Sequence, residues 1–203
     1  MMGYALNATV LISLLSMLVV SPNGYGQADP EWLKSWNEAV SSRPEMLSAS
    51  GRIALPEEPG IPMIIRGRVL DPNGTPAPSV VVHAYHRDSQ GFDFGAGDNS
   101  YTTWRLQGWV ITDEDGRFEF KTIRPAPDHL GREAAHVHMT LESKSFGRQW
   151  APTVYLADDP LVVAAQRQGV GQLSQSRKVS ALEIVDGVQR LNLELRLKGE
   201  PDF

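Results

Sequence analysis

Two histidines carry the strongest chemical signal in this 203-residue sequence. His136 and His138 are separated by one valine in the run Ala135-His136-Val137-His138-Met139-Thr140-Leu141, which has the texture of a strand. Residues i and i+2 of a strand point to the same side, so both imidazoles face one region, about 7 Å apart along the chain. Two imidazoles converging in this way suit a transition metal such as iron, zinc or copper. A histidine pair of this kind is weak evidence alone, since exposed or hydrogen-bonded histidines are common. Its surroundings have to decide.

The elements that must hold the pair are mostly strands. Met63 to Leu70, Ser79 to His86, Trp104 to Thr112, Arg117 to Ile123, Ala135 to Ser143, Trp150 to Pro160 and Val188 to Leu197 all have strand character. Asn73-Gly74 marks the tip of a turn, and Asp113-Glu114-Asp115-Gly116 is a hairpin signal. In the last strand Leu191, Leu193, Leu195 and Leu197 share one face, opposite Arg190, Asn192, Glu194 and Arg196, as in an outer sheet of a sandwich. Asp29 is placed to cap a short helix with Pro30 at its first position and Trp32, Leu33, Trp36 and Val40 at helical spacing. Arg43-Pro44 ends that helix, and a Pro- and Gly-rich strap runs to Pro62. Pro160 to Gln172 reads as one more helix. These elements predict an all-β fold: a single β-sandwich with a short N-terminal helix and few others. Fold alone says nothing about function.

The first 28 residues differ from the rest. Ala5 to Val20 is apolar and uncharged, turn-formers follow, and Gly26 and Ala28 occupy the −3 and −1 positions of a signal-peptidase site. This apolar run is shorter than the ~20 residues that span a bilayer. The sequence therefore predicts a signal peptide over 1–28, a helix and strap over 29–62, and the sandwich domain over 63–203, in a protein that is secreted or periplasmic and not membrane-bound once the leader is cut. The absence of cysteine excludes disulfides and a Cys-linked lipid anchor. A net charge of −5, with no basic run interleaved with aromatics, excludes nucleic acid as a partner.

Beyond the histidine pair, the segment Thr112-Asp113-Glu114-Asp115-Gly116-Arg117-Phe118-Glu119-Phe120-Lys121-Thr122-Ile123-Arg124-Pro125 resembles the intradiol ring-cleavage dioxygenases, and Ala135-His136-Val137-His138 follows as in that family. Glu58 to Pro62, Gly67 to Pro78, and Tyr155-Leu156-Ala157-Asp158-Asp159-Pro160-Leu161 extend the likeness in the same order. The resemblance implies that family's β-sandwich. It also implies a ferric iron, Fe(III), held by two histidines and two tyrosinates, and a catechol or related aromatic diol opened between its hydroxyls by O2. A homo-oligomer is compatible with it.

The chain departs from the family at the other half of that ligand set. Where the family has its two tyrosines, this sequence has Asp93, in Gly91-Phe92-Asp93, and Asp128, after Pro125-Ala126-Pro127. Asp128 is the expected replacement ligand. Tyr101 is a phenolate candidate if the register slips, and His129 is a third-imidazole candidate. Tyr85 stands where the family has a pocket tryptophan, and His83 shares its strand face. The family's arginine three residues before the first histidine is Glu133 here, with Arg132 beside it as the candidate stabiliser of developing negative charge. Carboxylates in place of phenolates favour Fe(II), Zn or Mn over Fe(III). Three readings follow: an intradiol-type dioxygenase, a related metalloenzyme with altered chemistry, and a non-catalytic sandwich with a vestigial metal site.

Overall fold

The computed structural model describes residues 29–93, 104–167 and 177–203. The expected leader, Tyr101 and the end of the expected second helix lie outside these residues. In chain order the elements are α1 (Pro30–Val40), β1 (Ser50–Arg52), β2 (Pro62–Leu70), β3 (Val81–Tyr85), β4 (Gln107–Ile111) and β5 (Arg117–Ile123). They continue with β6 (His136–Ser143), β7 (Gly147–Trp150), β8 (Thr153–Leu156), α2 (Pro160–Arg167), β9 (Arg177–Ser180), β10 (Leu182–Val185) and β11 (Val188–Arg196). One sheet has the order β1-β5-β2-β11-β10; the other has β4-β3-β6-β8-β9, with β7 also paired to β6.

The expected all-β sandwich is what forms. Strand alternation sends Val82 and Ala84 of β3, Val137, Met139 and Leu141 of β6, and Val154 and Leu156 of β8 inward. They meet Ile65, Val69, Phe118, Phe120, Leu191, Leu193 and Leu195 from the other sheet. Apart from Ala84, each such side chain, fully buried, contributes roughly 1.5–3 kcal/mol. The leucine face of the last strand is buried as its alternation predicts.

Some expectations change. The Asp113–Gly116 turn does not close a hairpin, because β4 and β5 belong to different sheets. It is a corner that carries the chain across the sandwich. Asp113 Oδ1 accepts the amides of Asp115 and Arg117 there. Gly116 has φ 73° and a Cβ at that position would lie 2.4 Å from the Val69 carbonyl oxygen, so the corner requires glycine. The segment after Trp150 is interrupted at Ala151-Pro152, giving β7 and β8 where one strand was expected. The strap carries β1, which pairs with β5, and neither β9 nor β10 was anticipated.

Helix α1 begins where Asp29 Oδ1 accepts the amides of Glu31 and Trp32. It stops where the Ser41 and Ser42 hydroxyls donate back to the Glu38 and Ala39 carbonyls, ahead of Pro44. Trp36 and Ala39 are buried, and Trp32 and Val40 pack beside them. Leu33, expected on the same stripe, is only half-buried. The helix covers the outer face of the second sheet through aromatics: Trp32 lies 4.0 Å from Trp150, 5.6 Å from Phe203 and 6.2 Å from Trp104, centroid to centroid. Among the described residues no helix is long and apolar enough to cross a membrane.

Candidate functional site

The same alternation that buries Val137 and Met139 turns His136 and His138 to the outer face of the second sheet. Register supplies their neighbours. Tyr85 on β3 is the cross-strand partner of His138, and Tyr155 on β8 is that of His136. The Tyr85 ring lies flat against His138 at 5.0 Å, and Tyr155 is tilted against His136 at 5.1 Å. Two tyrosines therefore flank the two histidines, presenting ring faces rather than hydroxyls.

The imidazoles converge. His136 Nε2 lies 2.8 Å from His138 Nε2. His136 Nδ1 lies 2.7 Å from the Ala134 carbonyl, which can only accept, so Nδ1 holds the proton and Nε2 presents its lone pair. The His138 Nε2–H can then donate to that lone pair, with Thr153 Oγ1 3.4 Å from the His138 Nδ1. Two nitrogens each 2.0–2.1 Å from one ion, at a right angle, lie about 2.9 Å apart. The pair already has that separation. Burial pushes the His138 imidazole down to about 3, with His136 adding to the effect, and burial also lowers His136. Both are neutral near pH 7, the form that binds metal.

Beside them stands Glu133. Its Oε1 lies 4.0 Å from His136 Nε2 and accepts the Tyr155 hydroxyl at 3.0 Å, while its Oε2 accepts Arg87 NH1 at 3.2 Å. Arg87 Nε also donates to Asp93 Oδ2 at 3.1 Å, so one guanidinium serves two carboxylates. Burial works to raise Glu133, but His136, Tyr155 and Arg87 outweigh it and hold the carboxyl below its usual range. Burial and then Glu133 raise the Tyr155 phenol, and burial raises that of Tyr85. Neither is disposed to ionise.

Other expected residues are placed differently. Asp128 Oδ1 accepts the backbone amides of Arg132 and Glu133, and Oδ2 is 3.5 Å from Arg132 Nε. Its carboxylate shapes the loop that delivers Glu133, which corrects the expectation of a metal ligand. Burial works to raise that carboxyl, and the hydrogen bonds from Arg132 and Glu133 hold it low. Arg132 is corrected as well: its side chain is 74% exposed and turned to Asp128, while Arg87 supplies the guanidinium next to the histidines. His129 stacks on Phe92 at 4.5 Å and is not a third imidazole. Gly91 has φ 86°, and a Cβ there would lie 2.1 Å from the Pro127 carbonyl oxygen, so only glycine allows so close an approach. The two segments that carry Asp93 and Asp128 are therefore neighbours. His83 lies at 4.5 Å on Trp109 and 5.4 Å from Tyr85, with Nε2 3.0 Å from Gln107 Oε1, so it is a buried wall residue.

Sequence reasoning noted Glu133 only as a lost arginine, passed over Tyr155, and missed Arg87 and Thr153. Spacing could have found Glu133, three residues before His136. Nothing local marks Arg87, which reaches the site from the end of β3.

The residues fit half of a two-histidine, two-tyrosinate iron site. The imidazole half is present. The phenolate half is absent among the described residues, since Asp93 is tied to Arg87 and Asp128 to its own loop. Among the described residues no three histidine or acidic side chains form a complete metal shell as they stand.

Comparison with known proteins gives consistent matches. A family model described as Dioxygenase matches residues 41–198. Catechol 1,2-dioxygenase 1 of Acinetobacter lwoffii is 31% identical over 125 residues, 53% of this chain and 40% of that protein. Chlorocatechol 1,2-dioxygenase of Rhodococcus opacus is 31% identical over 124 residues, 51% of this chain and 47% of that one. The chain spans about half the length of the curated relatives it matches. The crystal structure of 3-chlorocatechol 1,2-dioxygenase from Rhodococcus opacus superposes with a TM-score of 0.59 at 20% identity, covering 77% of this chain and 67% of that chain.

Proposed function

Since the chain belongs to the intradiol dioxygenase family, we propose that it is an exported, metal-dependent oxygenase of a catechol-type diol whose ion is held by His136 and His138. The observation that carries this is the 2.8 Å approach of the two Nε2 atoms, with the Ala134 carbonyl fixing the tautomer of one of them. His136 and His138 would hold the ion, which would supply Lewis acidity toward a bound diol and toward its reaction with O2. The net change breaks the bond between the two hydroxyl-bearing carbons and adds both oxygen atoms, giving an open-chain diacid.

The chain's own residues prepare for this. Tyr85 and Tyr155 brace the imidazoles from either side. Arg87 ties Glu133 and Asp93 together beside them and so fixes the position of the Glu133 carboxylate. Trp104 packs against Tyr85 at 4.7 Å and Trp32 against Trp104 and Trp150, which supports the Tyr85 ring from behind. The leader pattern over 1–28 supports export, and the substrate class follows the names of the relatives.

The test uses purified protein reconstituted with iron and, separately, with zinc and manganese. Catechol, 4-chlorocatechol and hydroxyquinol are each supplied with O2. Expected is oxygen uptake matched by a ring-opened diacid for at least one diol, and its loss in His136→Ala. Uptake absent for every diol and metal would overturn the reading. The visible spectrum adds a second measurement: without phenolate ligands, the iron-loaded protein is expected to lack the red-brown band of a tyrosinate-bound ferric ion.

A further inference from the structure

The family resemblance puts an arginine three residues before the first histidine; this chain puts a carboxylate there, and the structure holds that carboxylate against the site. Four observations bear on what it does. Glu133 Oε1 is 4.0 Å from His136 Nε2, inside the ~4.2 Å that two ligands at 2.0–2.1 Å on opposite sides of one ion can span. Its loop is built to present it: Asp128 Oδ1 receives the Glu133 amide, and the Asp128 amide donates to the Glu133 carbonyl. Its guanidinium partner among the described residues is Arg87, which it shares with Asp93, so two carboxylates compete for one positive charge and negative charge is left over. The replacements at the family's two tyrosine positions are already committed, as described above.

We propose that Glu133 is the third protein ligand of a divalent metal ion bound by His136 and His138. The inference rests on the two-histidine reading and extends it to a two-histidine, one-carboxylate centre, an arrangement suited to Fe(II), Zn(II) or Co(II) rather than to tyrosinate-stabilised Fe(III). Tyr155 and Arg87 hold the carboxylate, with Oε1 4.0 Å from His136 Nε2. To reach an ion held by the two imidazoles, Oε1 would turn inward by a change of side-chain rotamer, with Arg87 keeping Asp93 and the Tyr155 hydroxyl giving up an acceptor. No covalent bond or electron transfer is involved.

Isothermal titration with Zn(II) and with Co(II), the latter followed also by its visible d–d bands, tests this on the intact protein, its Glu133→Gln and Glu133→Asp variants, and His136→Ala. The expected result is one ion per chain, affinity about tenfold or more weaker in Glu133→Gln, partial recovery in Glu133→Asp, and a shifted Co(II) spectrum when the carboxylate is lost. If His136→Ala loses the ion while Glu133→Gln binds within twofold of the unaltered protein with the same spectrum, the third-ligand inference fails and the histidine reading survives. If neither variant changes binding, or the unaltered protein takes up no ion, both fail. Should Glu133→Gln not fold, Tyr155→Phe carries the test, because freeing Oε1 from a charge-assisted hydrogen bond is expected to strengthen Co(II) binding about tenfold. Unchanged or weaker binding in that variant overturns the inference.

Discussion

Strand β6 has two faces with opposite jobs. Val137, Met139 and Leu141 enter the core between the sheets, while His136 and His138 leave on the far side, against Tyr155 and Tyr85. The inner face needs only volume and apolarity, and any well-packed set of side chains serves. The outer face buries polar groups, so each needs a partner of the right sense: a carbonyl for His136 Nδ1, a hydroxyl near His138, an amide oxygen for His83. A core is specified by pattern, and a site by individual atoms.

Acid should separate the site's surroundings from the purely apolar core most strongly. Burial pushes His83, on the outer face, and His86, at the end of the core against Thr122, each down to about 4 from 6.5. The unfolded chain therefore takes up protons first. The stability that these two imidazoles contribute is full above pH 6.5, falls as the pH drops below it, and is lost by about pH 4, each accounting for about 3 kcal/mol. Chemical denaturation at a series of pH values measures this, and His83→Gln should flatten the slope between pH 6.5 and 4. A slope unchanged by that substitution would mean that His83 is not held neutral by burial.

Adjacent residues give a sharper comparison. Met139→Ala removes volume from the core and is expected to lower unfolding free energy by about 2–5 kcal/mol, leaving metal stoichiometry at its original value. His138→Ala is expected to do the reverse: metal affinity down about a hundredfold or more, with the metal-free melting temperature moving much less than in Met139→Ala. Denaturation curves and titration calorimetry on the two variants decide it. Equal losses of both properties in both variants would erase the distinction between the faces. The smallest effect belongs to Arg132→Ala. Its side chain lies in solvent, so stability should stay within about 0.5 kcal/mol and metal affinity within twofold. A large loss of affinity would return Arg132 to the site in place of Arg87.

Periodicity was enough to place most of the strands, the leucine face of β11 and the paired direction of His136 and His138, because side-chain alternation is a local property of extended backbone. Capping chemistry likewise placed the start of α1 at Asp29 and Pro30. The family resemblance was legible for a related reason: turns and strand-borne histidines recur at fixed spacing. The partners that complete the site were not legible, since they come from separate stretches of chain. Arg87 comes from the end of β3, Glu133 from the loop before β6, Tyr155 from β8 by cross-strand register, and Trp32 from a helix about a hundred residues upstream. Sequence spacing suggested Asp128 as the replacement ligand because it stands where the family has a tyrosine. The fold decided otherwise, because a carboxylate shorter than a phenol finds the amides of Arg132 and Glu133 within its own turn and is satisfied there. Local rules thus determined which face the histidines take. The packing of distant segments determined which charges face them.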